Sequence, residues 1–114
     1  MLRLIAVLVM LGTPVGADVI RCDFDTRIDA DGTAAERMTL VFEITDSGEA
    51  YMLGNVGKVE VMPLRGNEAM SFIEPLWAGA VHSTVIMFDG SAVHSRNTII
   101  SGSILYAQHI GRCQ

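Results

Sequence analysis

The chain has 114 residues and a formal net charge of −5, and 50% of its residues are hydrophobic. This length suits one small domain with a single core. No cluster or stripe of basic side chains occurs, which argues against nucleic acid and anionic lipid as partners.

The first 17 residues have the three parts of an export signal. A positively charged start is followed by an apolar run, Leu4–Leu11, and by a small-residue segment that ends at Ala17. Cleavage there would make Asp18 the new N-terminus. The apolar run is shorter than the ~20 residues that a membrane-spanning helix needs, so a retained anchor is the less favoured alternative. We expect a cleaved signal peptide, residues 1–17, and a single periplasmic or secreted domain, residues 18–114, without membrane contact.

The rest of the chain alternates apolar and polar residues with a period of two, which is typical of strands with one buried face. The clearest example is Met38–Ile44, whose even-numbered apolar residues are expected to point inward. At Asp89-Gly90 a two-residue hairpin is predicted. The polar, Asp- and Gly-rich segment Thr26–Ala35 is expected to be a mobile loop. The predicted strands are, in chain order, Val19–Asp25, Met38–Ile44, Glu49–Leu53, Lys58–Met62, Ala69–Glu74, Val81–Phe88, Ser91–Ile100 and Ser103–His109.

Seven or eight short strands joined by tight turns form an antiparallel meander, which tends to close into a small β-barrel. In a closed meander the first and last strands are neighbours, so Cys22 and Cys113 come close enough for a disulfide. We therefore expect an all-β barrel closed by a Cys22–Cys113 bridge. A Greek-key β-sandwich is the alternative architecture, and free or intermolecular thiols are the alternative state of the cysteines.

Two histidines are predicted to face each other. If Ser101-Gly102 forms a two-residue hairpin, His94 lies directly opposite His109, with Cβ atoms ~5 Å apart. The Asp89-Gly90 hairpin would put His82 on the opposite face of the sheet. Two imidazoles without a third ligand make a weak metal site, and the acidic residues near the N-terminus do not match a calcium-binding loop. We expect neither a metal nor a cofactor.

The segment His94–Thr98 is more polar than any other predicted strand. An edge strand or a wet barrel face is one explanation. The other is a recognition patch, in which Arg96 binds a carboxylate or phosphate and Asn97 adds hydrogen bonds. Trp77, in a loop, either extends such a patch as an interface anchor or folds back over the barrel end. The candidate binding residues are His94, Arg96, Asn97, His109 and Trp77.

Signatures of catalysis are missing, since the chain has no G-x-S-x-G elbow, no paired-cysteine redox motif and no phosphate-binding glycine loop. The methionines and phenylalanines of the strands, among them Met62, Met87 and Phe88, have enough volume to fill a narrow barrel. We therefore expect a non-catalytic binding module that recognises another exported protein through a polar surface patch. A small-ligand-binding barrel and a His-based metal protein or hydrolase are the alternatives.

The stretch Ala92–Arg96, followed by a Gly turn and then by Gln108, Gly111 and Cys113, resembles a group of small exported bacterial proteins without an assigned function. The overall plan is also similar to that of the MliC-type periplasmic lysozyme inhibitors, which are exported β-barrels with cysteines near both ends. That resemblance implies a barrel closed by its terminal cysteines. Ser101–Leu105 has Leu where the inhibitory Ser-Gly-x-x-Tyr loop of those proteins has Tyr, so the resemblance concerns architecture and carries no function.

Overall fold

Eight antiparallel strands form a closed barrel in which each strand pairs with its neighbours in chain order. The computed structural model describes residues 18–114, and the predicted signal peptide, residues 1–17, lies outside the described residues. The predicted meander barrel is confirmed, and the alternative β-sandwich is not formed. The described part of the chain contains no helix long and apolar enough to span a membrane. The strands are β1 Asp18–Asp29, β2 Gly32–Ile44, β3 Ala50–Gly54, β4 Gly57–Arg65, β5 Ala69–Pro75, β6 Val81–Met87, β7 Ser91–Ile100 and β8 Ser103–Cys113.

The barrel closes where β1 pairs with β8. Cys22 lies opposite Cys113 in this ladder, and the two form a disulfide between residues 91 positions apart in the chain. The predicted bridge is therefore confirmed. Just beyond it, Arg21 and Gln114 exchange two backbone hydrogen bonds, of 2.9 and 2.8 Å. Such a disulfide is compatible with an oxidising, extracellular compartment.

The barrel has two different ends. The β1–β2, β3–β4, β5–β6 and β7–β8 turns lie at one end, which we call the upper end, whereas the other turns and Gln114 lie at the lower end. Four strands, β1, β2, β7 and β8, have 10 to 13 residues, and the four between them have only 5 to 9. The β1–β2 and β7–β8 hairpins are therefore the long part of the barrel wall.

Three phenylalanines form the centre of the core. Phe24, Phe42 and Phe72 are only 2, 0 and 1% exposed, and the rings of Phe42 and Phe72 stack with their centroids 4.4 Å apart. Leu40 and Phe42 are both buried, so the predicted inward face of β2 is confirmed. Burial of these large apolar side chains is the main favourable contribution to folding.

Other large apolar side chains lie on the outside. Met62, Met87 and Phe88 are 49, 40 and 59% exposed, so the expectation that they help to fill the interior is wrong. Met62 and Met87 alternate with inward-facing neighbours on their strands, and Phe88 lies in the turn between β6 and β7. The interior is consequently filled by fewer large side chains than the sequence suggests.

The segment Thr26–Ala35 is not a loop, contrary to expectation. It forms the upper part of the β1–β2 hairpin, in which Asp29 pairs with Gly32 across a tight turn. The guanidinium of Arg27 contacts a carboxylate oxygen of Asp29 at 3.2 Å and one of Glu36 at 2.8 Å. No residue of this segment belongs to the buried apolar core, although the backbone forms a regular ladder. Polarity alone therefore does not indicate a loop here.

A β-bulge interrupts the β1–β8 ladder between Phe24 and Thr26. Gly111 lies opposite Phe24 at this point, and a Cβ atom at position 111 would clash with the carbonyl oxygen of Asp23 and with the Cα atom of Phe24. Two backbones approach here too closely for any other residue. The closure of the barrel therefore depends on Gly111 as well as on the disulfide.

The charges are distributed unevenly around the barrel. Residues 18–68 carry eleven acidic and five basic side chains, whereas from Ala69 to Ile110 the chain has only Glu74, Asp89 and Arg96. Glu74 and Arg96 line an internal cavity, and Asp89 lies in the β6–β7 turn. The outer faces of β5–β8 thus carry no charge above the lower end. We call β1–β4 the charged wall and β5–β8 the uncharged wall.

Candidate functional site

The β7–β8 register pairs His94 with His109, as predicted. Both side chains point into the barrel and are buried, with 4% and 1% of their surface exposed. Their ring centroids are 6.1 Å apart. The two imidazoles therefore belong to the interior of the barrel.

His82 joins this pair, and the expectation that it lies on the opposite face is wrong. The turn between β6 and β7 contains three residues, Phe88–Gly90, and the N–H of Gly90 donates to the carbonyl oxygen of Met87 at 2.9 Å. The extra residue moves the register by one position, which exchanges the two faces of β6. His82 consequently faces inward, with its ring centroid 6.2 Å from that of His94.

His94 is held by a buried hydroxyl group. Oγ1 of Thr84 and Nδ1 of His94 form a hydrogen bond of 2.6 Å, and both residues are buried. Burial, together with the neighbouring His109, His82 and Arg96, lowers the pKa of His94 to about 4. The imidazole is therefore neutral at neutral pH, where it can take part in hydrogen bonds without carrying a charge.

The other two histidines have unused ring nitrogens. Nδ1 of His82 lies 3.3 Å from a carboxylate oxygen of Glu74, but Nε2 of His82 is buried without a hydrogen-bond partner in the described part of the chain. Both ring nitrogens of His109 are likewise buried and find no partner among residues 18–114, where the carboxylate oxygen of Glu36 is 3.8 Å from Nδ1. Burial lowers the pKa of His109, although Glu36 acts in the opposite direction. Buried polar groups normally have partners, so this interior is suited to a bound polar group.

Arg96 lies above His94 on the inner face of β7 and is exposed at the upper end. Among the described residues, no carboxylate lies within ion-pair distance of its guanidinium, whereas Arg27 contacts two. Its charge lowers the pKa of both His94 and His109. A free guanidinium beside neutral imidazoles is a suitable partner for an anionic group.

A cavity of about 270 Å³ opens at the upper end beside Arg96. The expectation of a completely filled barrel is therefore wrong. A mainly apolar lining with a few polar groups is typical of small-ligand sites. The residues of β2–β4 that line the cavity include Met38, Leu40, Met52 and Val59, and those of β5–β7 are Glu74, His82, His94 and Arg96.

A second cavity, of about 280 Å³, lies on the other side of Arg96, between the two long hairpins. Arg27, Asp29 and Glu36 line it together with His109. Both cavities reach Arg96, and each contains as many carboxylates as basic side chains. The second is more open to solvent, and its carboxylates already pair with Arg27. The first cavity, of about 270 Å³, is therefore the better candidate for a binding site.

Asn97 and Trp77 do not belong to this interior group. Asn97 lies on the outer face of β7, where its Nδ2 atom donates to the carbonyl oxygen of Val81 at 3.0 Å. Trp77 is fully exposed in the β5–β6 loop and does not fold back over the barrel end. Of the five candidate residues, the structure brings His94, Arg96 and His109 together and leaves Asn97 and Trp77 at separate outer positions.

Three residues of the site are not indicated by the sequence pattern, namely Glu74, Thr84 and His82. The inward positions of Thr84 and His82 depend on the β6–β7 turn, which decides the face of β6 that points inward. Glu74 lies on the same face of β5 as the buried Met70 and Phe72. Gly90 has a positive φ of 99° and Asp89 does not, as expected for a three-residue turn that ends at Gly90 and not for a two-residue type I′ turn. Phe88-Asp89-Gly90 is as compatible with the sequence as Asp89-Gly90, so the signal was present but ambiguous.

The described residues include no group of three or more His, Cys, Asp or Glu side chains that could hold a metal ion. Comparison with known proteins finds no matching protein-family model, no matching curated protein and no matching solved structure. Fold and site together define a small β-barrel, closed by a disulfide, with a partly polar cavity at one end.

Proposed function

We propose that this chain is an exported, non-catalytic binding module that holds a small amphipathic ligand at the upper end of the barrel, with an anionic group of the ligand on Arg96. The observation that carries the proposal is the free guanidinium of Arg96 beside the buried His94, at the mouth of a cavity of about 270 Å³. A cleaved signal peptide and a periplasmic or secreted location belong to the same proposal.

The lining of the cavity indicates the chemistry of the ligand. Met38, Leu40 and Met52 offer flexible apolar contacts on one side, and methionine adapts well to different ligand shapes. A volume of about 270 Å³ corresponds to about nine groups of the size of water, at ~30 Å³ each. A short apolar chain or ring with one polar end fits these dimensions.

The charges around Arg96 favour a single carboxylate over a phosphate. Glu74 lines the same cavity, and Glu36 and Asp29 line the neighbouring one, so a dianion would meet nearby negative charge. A carboxylate needs only the two parallel N–H donors of one guanidinium. The ring nitrogens of His82 and His94 line the same cavity and can supply further hydrogen bonds.

Recognition of another exported protein is the second candidate function. The observation in its favour is Trp77, whose indole is fully exposed at the upper end. Exposed tryptophans are frequent energetic centres of interfaces. Since His94 and His109 lie inside the barrel, such an interface would have to use Trp77 and Arg96 without the two histidines.

Hexanoate is a suitable probe for the ligand site, and hexanamide is its neutral control. Titration of the ¹⁵N-labelled protein, followed by NMR, should show hexanoate-dependent shifts of the amides of His82, His94 and Val59. Hexanamide should bind at least ~10-fold more weakly, because a charge-assisted contact with Arg96 is lost. Equal binding of both probes, or no shift with either, would contradict the proposal.

Arg96→Gln and Val59→Phe test the assignment of the site, and Arg65→Gln is the control. Arg96→Gln should weaken hexanoate binding by at least ~10-fold, whereas Arg65→Gln, at the lower end, should not. Val59→Phe should fill the cavity and abolish binding while Arg96 is still present. If Arg65→Gln weakens binding as much as Arg96→Gln does, the effect is one of general charge and the site is wrong.

A further inference from the structure

The end of the β7–β8 hairpin extends beyond both neighbouring strands. The ladder between β7 and β6 ends at Ser95, and the ladder between β8 and β1 ends at Ala107. Pairing between β7 and β8 nevertheless continues to Ile100 and Ser103. Within residues 18–114, positions 98–106, which we call the hairpin tip, therefore pair only with each other, and no described strand pairs with either backbone edge of the tip.

The hairpin tip exposes apolar side chains on both faces. Ile104, Leu105 and Tyr106 of β8 are 66, 54 and 54% exposed, and Ile99 and Ile100 of β7 are 43 and 52% exposed. The tip has no charged residue. An isolated two-stranded hairpin is marginally stable in water, and proteins usually protect free edges with charges, proline or a cover. None of these protections is present within the tip.

The turn geometry determines which backbone groups are available at the β7 edge. Ser101 and Gly102 have φ values of 51° and 79°, as in a two-residue hairpin turn, so Ile100 and Ser103 exchange hydrogen bonds with each other. Alternation along the strand then directs the N–H and C=O of Ile99 away from β8, toward the free edge. These two groups are those that a further strand would bind.

We infer that the β7 edge of the hairpin tip pairs in antiparallel fashion with the same edge of a second copy of this chain. A twofold axis beside Ile99 would place each Ile99 next to its copy and would close the assembly as a dimer. The inference is independent of the ligand site.

Charge is the reason for choosing a second copy as the partner. The β7 edge of the hairpin tip has no charge that would favour a basic or an acidic partner. Two copies of this edge can pair with each other without charge repulsion. The acidic residues of the chain lie on the charged wall, so two negatively charged copies can meet through their uncharged walls with little repulsion. The β8 edge is less suitable, because it adjoins the β1–β2 turn with the exposed Asp31.

The interface is small, so the dimer should be weak and should be measured over a wide concentration range. Sedimentation equilibrium of the purified chain with its disulfide intact, from ~1 μM to ~1 mM, should show reversible dimerisation. A monomer at every concentration would overturn the inference, and so would association that does not stop at the dimer.

Two substitutions at one position distinguish edge pairing from simple apolar contact. Ile99→Pro removes the N–H at the free edge but leaves the hydrogen bonds to β8, so the barrel should keep its melting temperature and dimerisation should weaken at least ~10-fold. Ile99→Lys should weaken it similarly by adding charge. Leu64→Lys, at an exposed position of β4, is the matched control and should have no effect. If Ile99→Lys disrupts the dimer and Ile99→Pro does not, the contact is made by side chains and the edge pairing is wrong.

Discussion

The charged and the uncharged wall of this barrel have the same architecture and different surfaces. Residues 18–68, which include the charged wall, carry eleven of the acidic side chains, and the outer faces of β5–β8 carry exposed Val81, Val85, Met87, Ile99 and Tyr106. Inside, the distribution is different, because the uncharged wall supplies all three histidines. The comparison teaches that most surface charges and all three interior histidines lie on opposite sides of one small barrel.

The largest effect is expected at the β1–β8 seam, where the two walls are joined covalently. Replacing both Cys22 and Cys113 by Ala should cost about 4–5 kcal/mol of stability in the chain-entropy model, because the bridge closes a loop of about 90 residues. Thermal unfolding measured by circular dichroism should show a fall of many degrees in Tm. A fall of only one or two degrees would mean that backbone pairing alone holds the walls together.

A smaller but still large effect is expected from Gly111→Ala at the same seam. The new Cβ atom would clash with the backbone of Asp23 and Phe24, and neither can move without disturbing the bulge. We expect a loss of about 2–4 kcal/mol in the free energy of unfolding, measured with urea.

Gly54→Ala is the matched control for Gly111→Ala. Its Cβ atom would approach only the end of the flexible Leu40 side chain, at 3.0 Å. This variant should lose less stability than Gly111→Ala. Equal losses would show that backbone crowding at the seam has no special importance.

The smallest predicted effect is a loss of stability in acid, which we expect to come from His94 in the uncharged wall and not from the charged wall. His94 has a pKa of about 4 in the folded protein, below its ordinary value of about 6.5, so the unfolded chain binds the proton more readily. Stability should therefore fall as pH decreases from ~6.5 toward ~4, by about 2–3 kcal/mol. His94→Asn should remove most of this fall in urea titrations at several pH values.

Asp46→Asn, in the β2–β3 turn beside the charged wall, is the control for the pH experiment. The substitution changes an exposed side chain and leaves His94 in place, so the loss of stability in acid caused by His94 should persist in this variant. If the loss of stability in acid persists in His94→Asn and disappears in Asp46→Asn, the carboxylates near the charged wall cause the loss, and the interior histidines do not.

Much of the fold could be predicted from the sequence, because period-two runs such as Met38–Ile44 and turn residues such as Ser101-Gly102 each depend on local chemistry. The disulfide followed from closure of the meander. The upper part of the β1–β2 hairpin could not be predicted in this way, since none of its residues from Thr26 to Ala35 belongs to the buried apolar core. Regular backbone pairing of Thr26–Ala35 leaves no trace in a pattern of hydrophobicity.

The candidate site was only partly predictable, for a different reason. The pairing of His94 with His109 required one turn to be identified correctly, and Ser101-Gly102 permitted that. The position of His82 required the Phe88–Gly90 turn as well, and an error of one residue moved the imidazole to the wrong face. The cavity depends on which methionines point inward, so the same uncertainty affected its prediction.

The backbone hydrogen bonds between Arg21 and Gln114 have a practical consequence for handling the molecule. They place Arg21, the fourth residue of β1, beside Gln114, at the end of the barrel opposite the cavity. A surface support or a fused domain attached at either position would leave the cavity facing the solution. The same proximity permits a circular permutant, in which a short linker joins these two positions and new termini open at Ala30 and Asp31.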